Sequence, residues 1–134
     1  MNEHELMAQP VEAYMSEAQQ AFFKQRLETE RKELSRQIDA EFQGLRTLEY
    51  SADAADIAIR EEQQQWQLRQ LERQKKLIDK IDAALDRLAQ GTYGWCEETG
   101  EPIGLGRLLL RPTATLCIEA KQRQEQRERH VRQD

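Results

Sequence analysis

Before residue 50, apolar residues fall at Leu27, Leu34, Ile38, Phe42, Leu45 and Leu48, in steps of seven, four, four, three and three. Such steps keep one face of an α-helix apolar. After residue 57 the pattern resumes at Ile59, Trp66, Leu71, Ile78, Ile81, Leu85 and Leu88, mostly in steps of seven, three and four. Each helical pattern runs for about 33 residues, roughly 50 Å at the α-helical rise. That is too long for a compact domain of this size. Joined by a connection as short as Tyr50–Ile59, two such stripes bury each other best as a long antiparallel coiled-coil hairpin. Its seam is thin, because Gln63, Gln70 and Gln74 interrupt the second stripe. The tip, at about 49–57, carries Asp53 and Asp56.

Local signals place the ends of these helices. Ser16 is a natural N-cap for the first, with Tyr14 and Met15 available to pack before it. Gly44 costs about 1 kcal/mol relative to alanine inside that helix. The second helix is predicted to start at Asp56 or just before and to stop at Gly91, a C-capping glycine. Five of the six glycines then lie between Gly91 and Gly106, which predicts tight turns and very short strands. Arg107–Arg111 has room for one or two helical turns before Pro112 ends them. Thr113–Cys117 is a second turn or short strand, and Ile118–Arg132 a charged helix. The expected division is a leader at 1–15 packing near a head, a hairpin at 16–90, a Cys-containing turn region at 91–117 and a C-terminal helix at 118–134.

Composition narrows the function. Charged residues make up 34% and aromatics 6%, which suits exposed helices better than a large core. A net charge of −5 argues against binding nucleic acid through its phosphates and makes a protein partner the better default. Residues 1–62 carry seven Lys/Arg against fourteen Asp/Glu, whereas residues 63–134 carry thirteen against eleven. An anionic small ligand is therefore expected in the second half. No run resembles a secretory h-region or a membrane span, so a cytoplasmic protein without membrane contact is expected.

Cys96-Glu-Glu-Thr99 and Cys117-Ile-Glu-Ala120 have the layout of two C-x-x-C halves, each with its second cysteine replaced. Structural zinc takes four soft ligands, and such pairs in a Gly-rich setting signal a zinc ribbon. Thr99 is a poor ligand and Ala120 is none, so bound zinc is not expected, although Glu98, Glu119 or His130 would be the candidates to fill the gap. The cysteines read as small buried hydrophobes beside Trp95, Leu116 and Ile118, with a thiol switch as the alternative. The head is then expected to fold through Trp95, Leu108, Leu110 and Leu116 instead of metal.

Taken together, Tyr14-Met-Ser-Glu-Ala-Gln19, the tip Asp53-x-x-Asp56-x-Ala58, the basic run Arg73–Lys80, and Tyr93-Gly-Trp-Cys96 through Arg111-Pro-Thr-Ala-Thr-Leu-Cys117 resemble the DksA/TraR family of bacterial RNA polymerase regulators. The two missing cysteines make the chain most similar to a zinc-independent paralogue within it. The resemblance implies a mainly α fold, a coiled-coil hairpin with a small zinc-ribbon-like head and a C-terminal helix. It implies a monomer that inserts its coiled coil into the secondary channel of RNA polymerase. There it modulates open complexes at ribosomal RNA and other promoters together with ppGpp, without sequence-specific DNA binding. Carried over residue by residue, Asp53, Asp56 and Ala58 form the tip, and Arg69, Arg73 and Arg107 dock on polymerase. Leu77, Lys80, Arg111 and Lys121 bind ppGpp with polymerase.

Each assignment has a plainer counterpart. Aspartates at a turn also cap helices. Lys80, Arg111 and Lys121 also read as a solvated charged face, although a guanosine polyphosphate wants such donors. His4 and His130 lie far from every serine in sequence, and no phosphate-binding or dinucleotide motif is present, so an enzyme is not expected. Two other classes stay open: a transcript-cleavage factor acting through an acidic hairpin tip, and a thiol- or metal-sensing protein whose coil only dimerises.

Overall fold

Ser16 does cap a helix, and Gln19 completes the start. The Ser16 hydroxyl accepts from the Gln19 N–H at 3.3 Å, while the Gln19 side-chain oxygen accepts from the Met15 N–H at 2.9 Å. One of the donors that a helix N-terminus leaves unpaired is thereby met, and the residue before the cap is tied back to the first turn. A computed structural model of the chain describes residues 1–51 and 57–133. Its elements are α1 (Glu3–Met7), a 3-10 turn at Val11–Ala13, α2 (Glu17–Ser51), α3 (Ile57–Gln90), α4 (Leu105–Leu110) and α5 (Ile118–Gln133). The architecture is mainly helical, with α2 and α3 paired as a long hairpin. Among the described residues, pairing of extended backbone is limited to an isolated antiparallel bridge, Trp95 with Pro102.

The chain resolves into two compact units. One, the head, comprises Met1–Leu27 with Ala83–Asp134; the other, the arm, is Glu28–Asp82.

In the head, Leu6, Phe23, Leu27, Tyr93 and Leu108 are fully buried together with Gln19. The Phe23 ring lies 5.6 Å from that of Tyr93, and the Tyr93 hydroxyl donates to the Pro112 carbonyl at 2.8 Å. Leader residues supply part of this core, since α1 is capped by the Asn2 side chain and packs on α4. Gly91 ends α3 in the left-handed conformation, φ +80°. Its N–H bonds Leu88 O and that of Thr92 bonds Arg87 O at 2.9 Å, the paired closure that glycine permits at a helix end. The expected head core needs a correction. Leu108 is buried as predicted, but Leu110 is 86% exposed, Trp95 lies at the surface and Leu116 is half-buried. Leu108 and Leu110 are two residues apart on a helical turn, which turns the second away from the side the first buries.

In the arm, cross-helix contacts fix an antiparallel register. Arg31 pairs with Asp82 at 2.7 Å, and the Gln74 amide donates to Glu41 at 3.1 Å and Gln37 at 3.5 Å. Gly44 faces Gln67. Leu71 and Ile81 are buried, and Leu34, Ile38, Leu45 and Ile78 half-buried. Phe42 and Trp66, expected in the seam, are instead 50% and 56% exposed. Trp66 and Leu71 are five residues apart, about 140° around the helix, so both cannot face the same partner.

Candidate functional site

The head turns sit on hydrogen bonds that tie the two cysteine segments together. The Cys96 N–H donates to Glu101 O at 2.8 Å, Gly100 N–H to Cys96 O at 2.9 Å, and Ile103 N–H to Gly94 O at 2.8 Å. The Glu97 N–H crosses to Thr115 O at 2.9 Å, joining the first turn to the second. Tyr14 clamps the first turn from the leader. Its hydroxyl donates to Gly94 O at 2.5 Å and accepts from the Gly104 N–H at 2.9 Å, with its ring edge-on to Trp95. Burial of this hydroxyl pushes its pKa up. The position of Gly94, at φ +90°, favours glycine: a Cβ there would be strained and would stand 2.7 Å from the Met15 sulfur, which would have to move.

Both cysteines are free thiols and buried. Burial pushes the Cys96 thiol up. The Thr99 hydroxyl and the backbone N–H groups of Cys117, Thr99 and Glu98 all donate to its sulfur, however, and bring it from 9.0 down to about 6. The Thr99 hydroxyl also lies 4.0 Å from the Cys117 sulfur and accepts from the Glu101 N–H at 3.1 Å. Ala120 is fully buried. On the flank, Glu98 is held by Arg123 at 3.1 Å and Arg127 at 3.5 Å, both from α5.

The other sites named from sequence divide between the two units. Asp53 and Asp56 lie outside the described residues. Ala58 is exposed in the first turn of α3. Arg69, Arg73, Leu77 and Lys80 are exposed on α3 within the arm. In the head, Arg107 is half-buried and its Nε donates to Leu116 O at 2.9 Å, so part of its guanidinium holds the turn before α5. Arg111 is exposed at the end of α4, and the half-buried Lys121 donates through Nζ to Gln124 at 3.0 Å. Sequence reasoning missed the bridging role of the Tyr14 hydroxyl, the Glu98 clamp, and Arg87, which donates to Thr113 O at 3.4 Å. Only Arg87 carried a signal: it is a cation in the last turn of a helix, where carbonyls lack partners.

A family model described as DnaK suppressor protein DksA, N-terminal domain, matches residues 19–88, more than half of the chain. The chain belongs to the DksA/TraR family. A second model of that family, the prokaryotic dksA/traR C4-type zinc finger, matches residues 91–126. The chain is 48% identical over 124 residues to the RNA polymerase-binding transcription factor DksA of Caulobacter vibrioides, covering 92% of this chain and 87% of that one. It is 39% identical over 129 residues to the protein of the same description from Escherichia coli, covering 91% and 82%. Among solved structures, transcription factor DksA2 from Pseudomonas aeruginosa superposes with a TM-score of 0.91 at 69% identity, covering 96% of this chain and all of that one.

The DksA/TraR zinc finger carries four cysteines, and the residues present here do not fit that metal. Thr99 and Ala120 occupy two of the four ligand positions; a buried methyl offers no donor, and the Thr99 hydroxyl is already engaged by the two sulfurs and the Glu101 N–H. Among the described residues no group of three or more His, Cys, Asp or Glu side chains is placed to hold a metal ion. Tetrahedral zinc requires four such ligands, or three and a water. What joins the two cysteine turns here is a hydroxyl and a set of amide donors.

Proposed function

We propose that this chain is a transcription regulator that binds RNA polymerase through its secondary channel and modulates promoter open complexes in concert with ppGpp, without structural zinc. What carries the reading is identity spread over nearly the whole chain with proteins described as RNA polymerase-binding transcription factors. In this reading Asp53, Asp56 and Ala58 act at the tip of the hairpin. A carboxylate on so narrow an element reaches a metal ion or mobile parts near a catalytic centre while the protein itself catalyses nothing. Arg69, Arg73 and Arg107 dock on polymerase, and Leu77, Lys80, Arg111 and Lys121 meet ppGpp once polymerase completes the site. Exposed Arg and Lys donors suit the phosphates of such a ligand. The protein acts as a cytoplasmic monomer.

The test is transcription from a ribosomal RNA promoter by purified polymerase, with and without ppGpp, in the presence of a zinc chelator, beside an Asp56→Asn variant. Inhibition is expected to survive the chelator, to strengthen with ppGpp and to disappear in the variant. A protein without effect on polymerase would end this reading.

A further inference from the structure

The seam of the arm and its outer surface divide α3 at Trp66. Ile59, Trp66, Arg69, Arg73, Lys76 and Lys80 follow one another in steps of seven, three, four, three and four, so they line one side of the helix. All six are exposed. The buried positions, Leu71 and Ile81, and the hydrogen-bonded Gln74 belong to the other side. Trp66 is therefore no loose member of the seam.

Two features set this ridge apart from an ordinary solvated face. Beside the indole lies an open recess of about 450 Å³ lined by Glu62, Gln63, Gln65, Trp66 and Arg69. Beyond it come four cations that no ion pair engages among the described residues, whereas Arg26, Arg31, Arg36, Arg123 and Arg127 are all paired with carboxylates. A large aromatic left in water beside cations held in no ion pair is the composition of an interface anchor, where tryptophan and arginine concentrate the binding energy.

We infer that Trp66 anchors the contact of α3 with polymerase, and that the element it meets is an acidic protein segment with an apolar side chain placed to cover the indole. This rests on the reading of polymerase as partner and adds to it the residue that carries most of the contact. Between Arg69 and Lys76 the ridge rises about 10 Å with a cation at every turn, so it matches carboxylates repeated at the same interval, and Lys80 beyond it is left to ppGpp. Nucleic acid is the poorer occupant. The chain has a net charge of −5, where binding a phosphate backbone needs a basic excess. Glu62 beside the indole repels carboxylate and phosphate alike, so the partner's acidic groups meet the ridge beyond it, from Arg69 onward, while the indole takes the apolar side chain.

The experiment is hydroxyl-radical footprinting of the wild-type chain, free, bound to core polymerase alone, and bound to core polymerase with DNA and RNA, read by mass spectrometry at Trp66 with Trp95 as internal reference. It is run beside binding measurements on Trp66→Ala and Trp66→Phe at two salt concentrations. Trp66 is expected to be protected several-fold in the complex. Trp66→Ala should weaken binding roughly ten- to thirty-fold, Trp66→Phe much less, and higher salt should weaken all three. A wild-type protein that does not bind polymerase would sink the function proposed above, and this inference with it. Binding with Trp66 as reactive as in the free protein would overturn this inference alone. So would protection that appears only when nucleic acid is supplied.

Discussion

The head and the arm solve the problem of a buried glutamine in opposite ways. In the head, Gln19 is fully enclosed, yet its oxygen accepts from the Met15 N–H and its amide donates to Gln9 at 2.8 Å. In the arm, Gln67 and Gln74 also lie in the seam but are only half-buried, and Gln67 Oε1, Gln74 Oε1, Glu41 Oε2 and Arg60 Nε find no partner within the protein there. A satisfied buried polar group specifies one packing, whereas a half-buried one without a protein partner leaves the choice of partner to solvent. The head is thus built to hold one arrangement, and the pairing of the arm is less closely specified. Free energies of local opening should differ accordingly, with amides of α3 in the arm exchanging faster than those near Phe23 and Leu88.

Cutting into the head should have the largest effect. Phe23→Ala removes a fully buried ring that contacts Tyr93 and is expected to cost about 3–5 kcal/mol in denaturant unfolding, against about 2–3 kcal/mol for Leu71→Ala in the arm. Equal losses would erase the contrast. Gly94→Ala comes next, at about 1–3 kcal/mol, because it adds strain at a positive φ and a clash with Met15. The arm should respond with the opposite sign. Replacing Glu41 and Gln74 together by leucine exchanges a half-satisfied pair for apolar packing and should raise stability by about 1–2 kcal/mol; a loss would show that this pair is worth more than its burial costs.

The remaining effect, at the thiol, is one of pH and not of packing. The folded protein favours the Cys96 thiolate, with a pKa of about 6 against 9.0 for an ordinary thiol. Because the folded value is the lower one, this contribution is complete above pH 9 and disappears as the pH falls through 6. Thiolate absorbance should rise with a midpoint near pH 6, and Cys96→Ala should remove that step. A midpoint near pH 9 would show that burial outweighs the converging donors.

Helix boundaries were largely legible in the sequence because single residues carry them. Ser16 caps, Gly91 adopts a left-handed turn, and Pro112 stops α4 two residues after Leu110. The faces of the helices were less legible. A list of apolar positions joined Trp66 to Leu71, and only their angular separation reveals two stripes, one turned to the seam and one to solvent. In the head, spacing identified the cysteine turns and the loss of two ligands. It could not show that Tyr14 bridges Gly94 and Gly104, because nothing in local sequence couples residues 80 and 90 positions apart.

That bridge bears on synthesis. The head joins Met1–Leu27 to residues from Ala83 onward, so the earlier-made segment has no partner until the arm between them has been translated. During that interval Leu6, Phe23 and Leu27 are bare apolar surface on a nascent chain, the condition under which chaperones bind. The arm pairs residues nearer in sequence and can zip while translation continues. Head closure is then the step that completes folding, and a stall in translation just after the arm would leave the arm paired while Leu6, Phe23 and Leu27 stay uncovered.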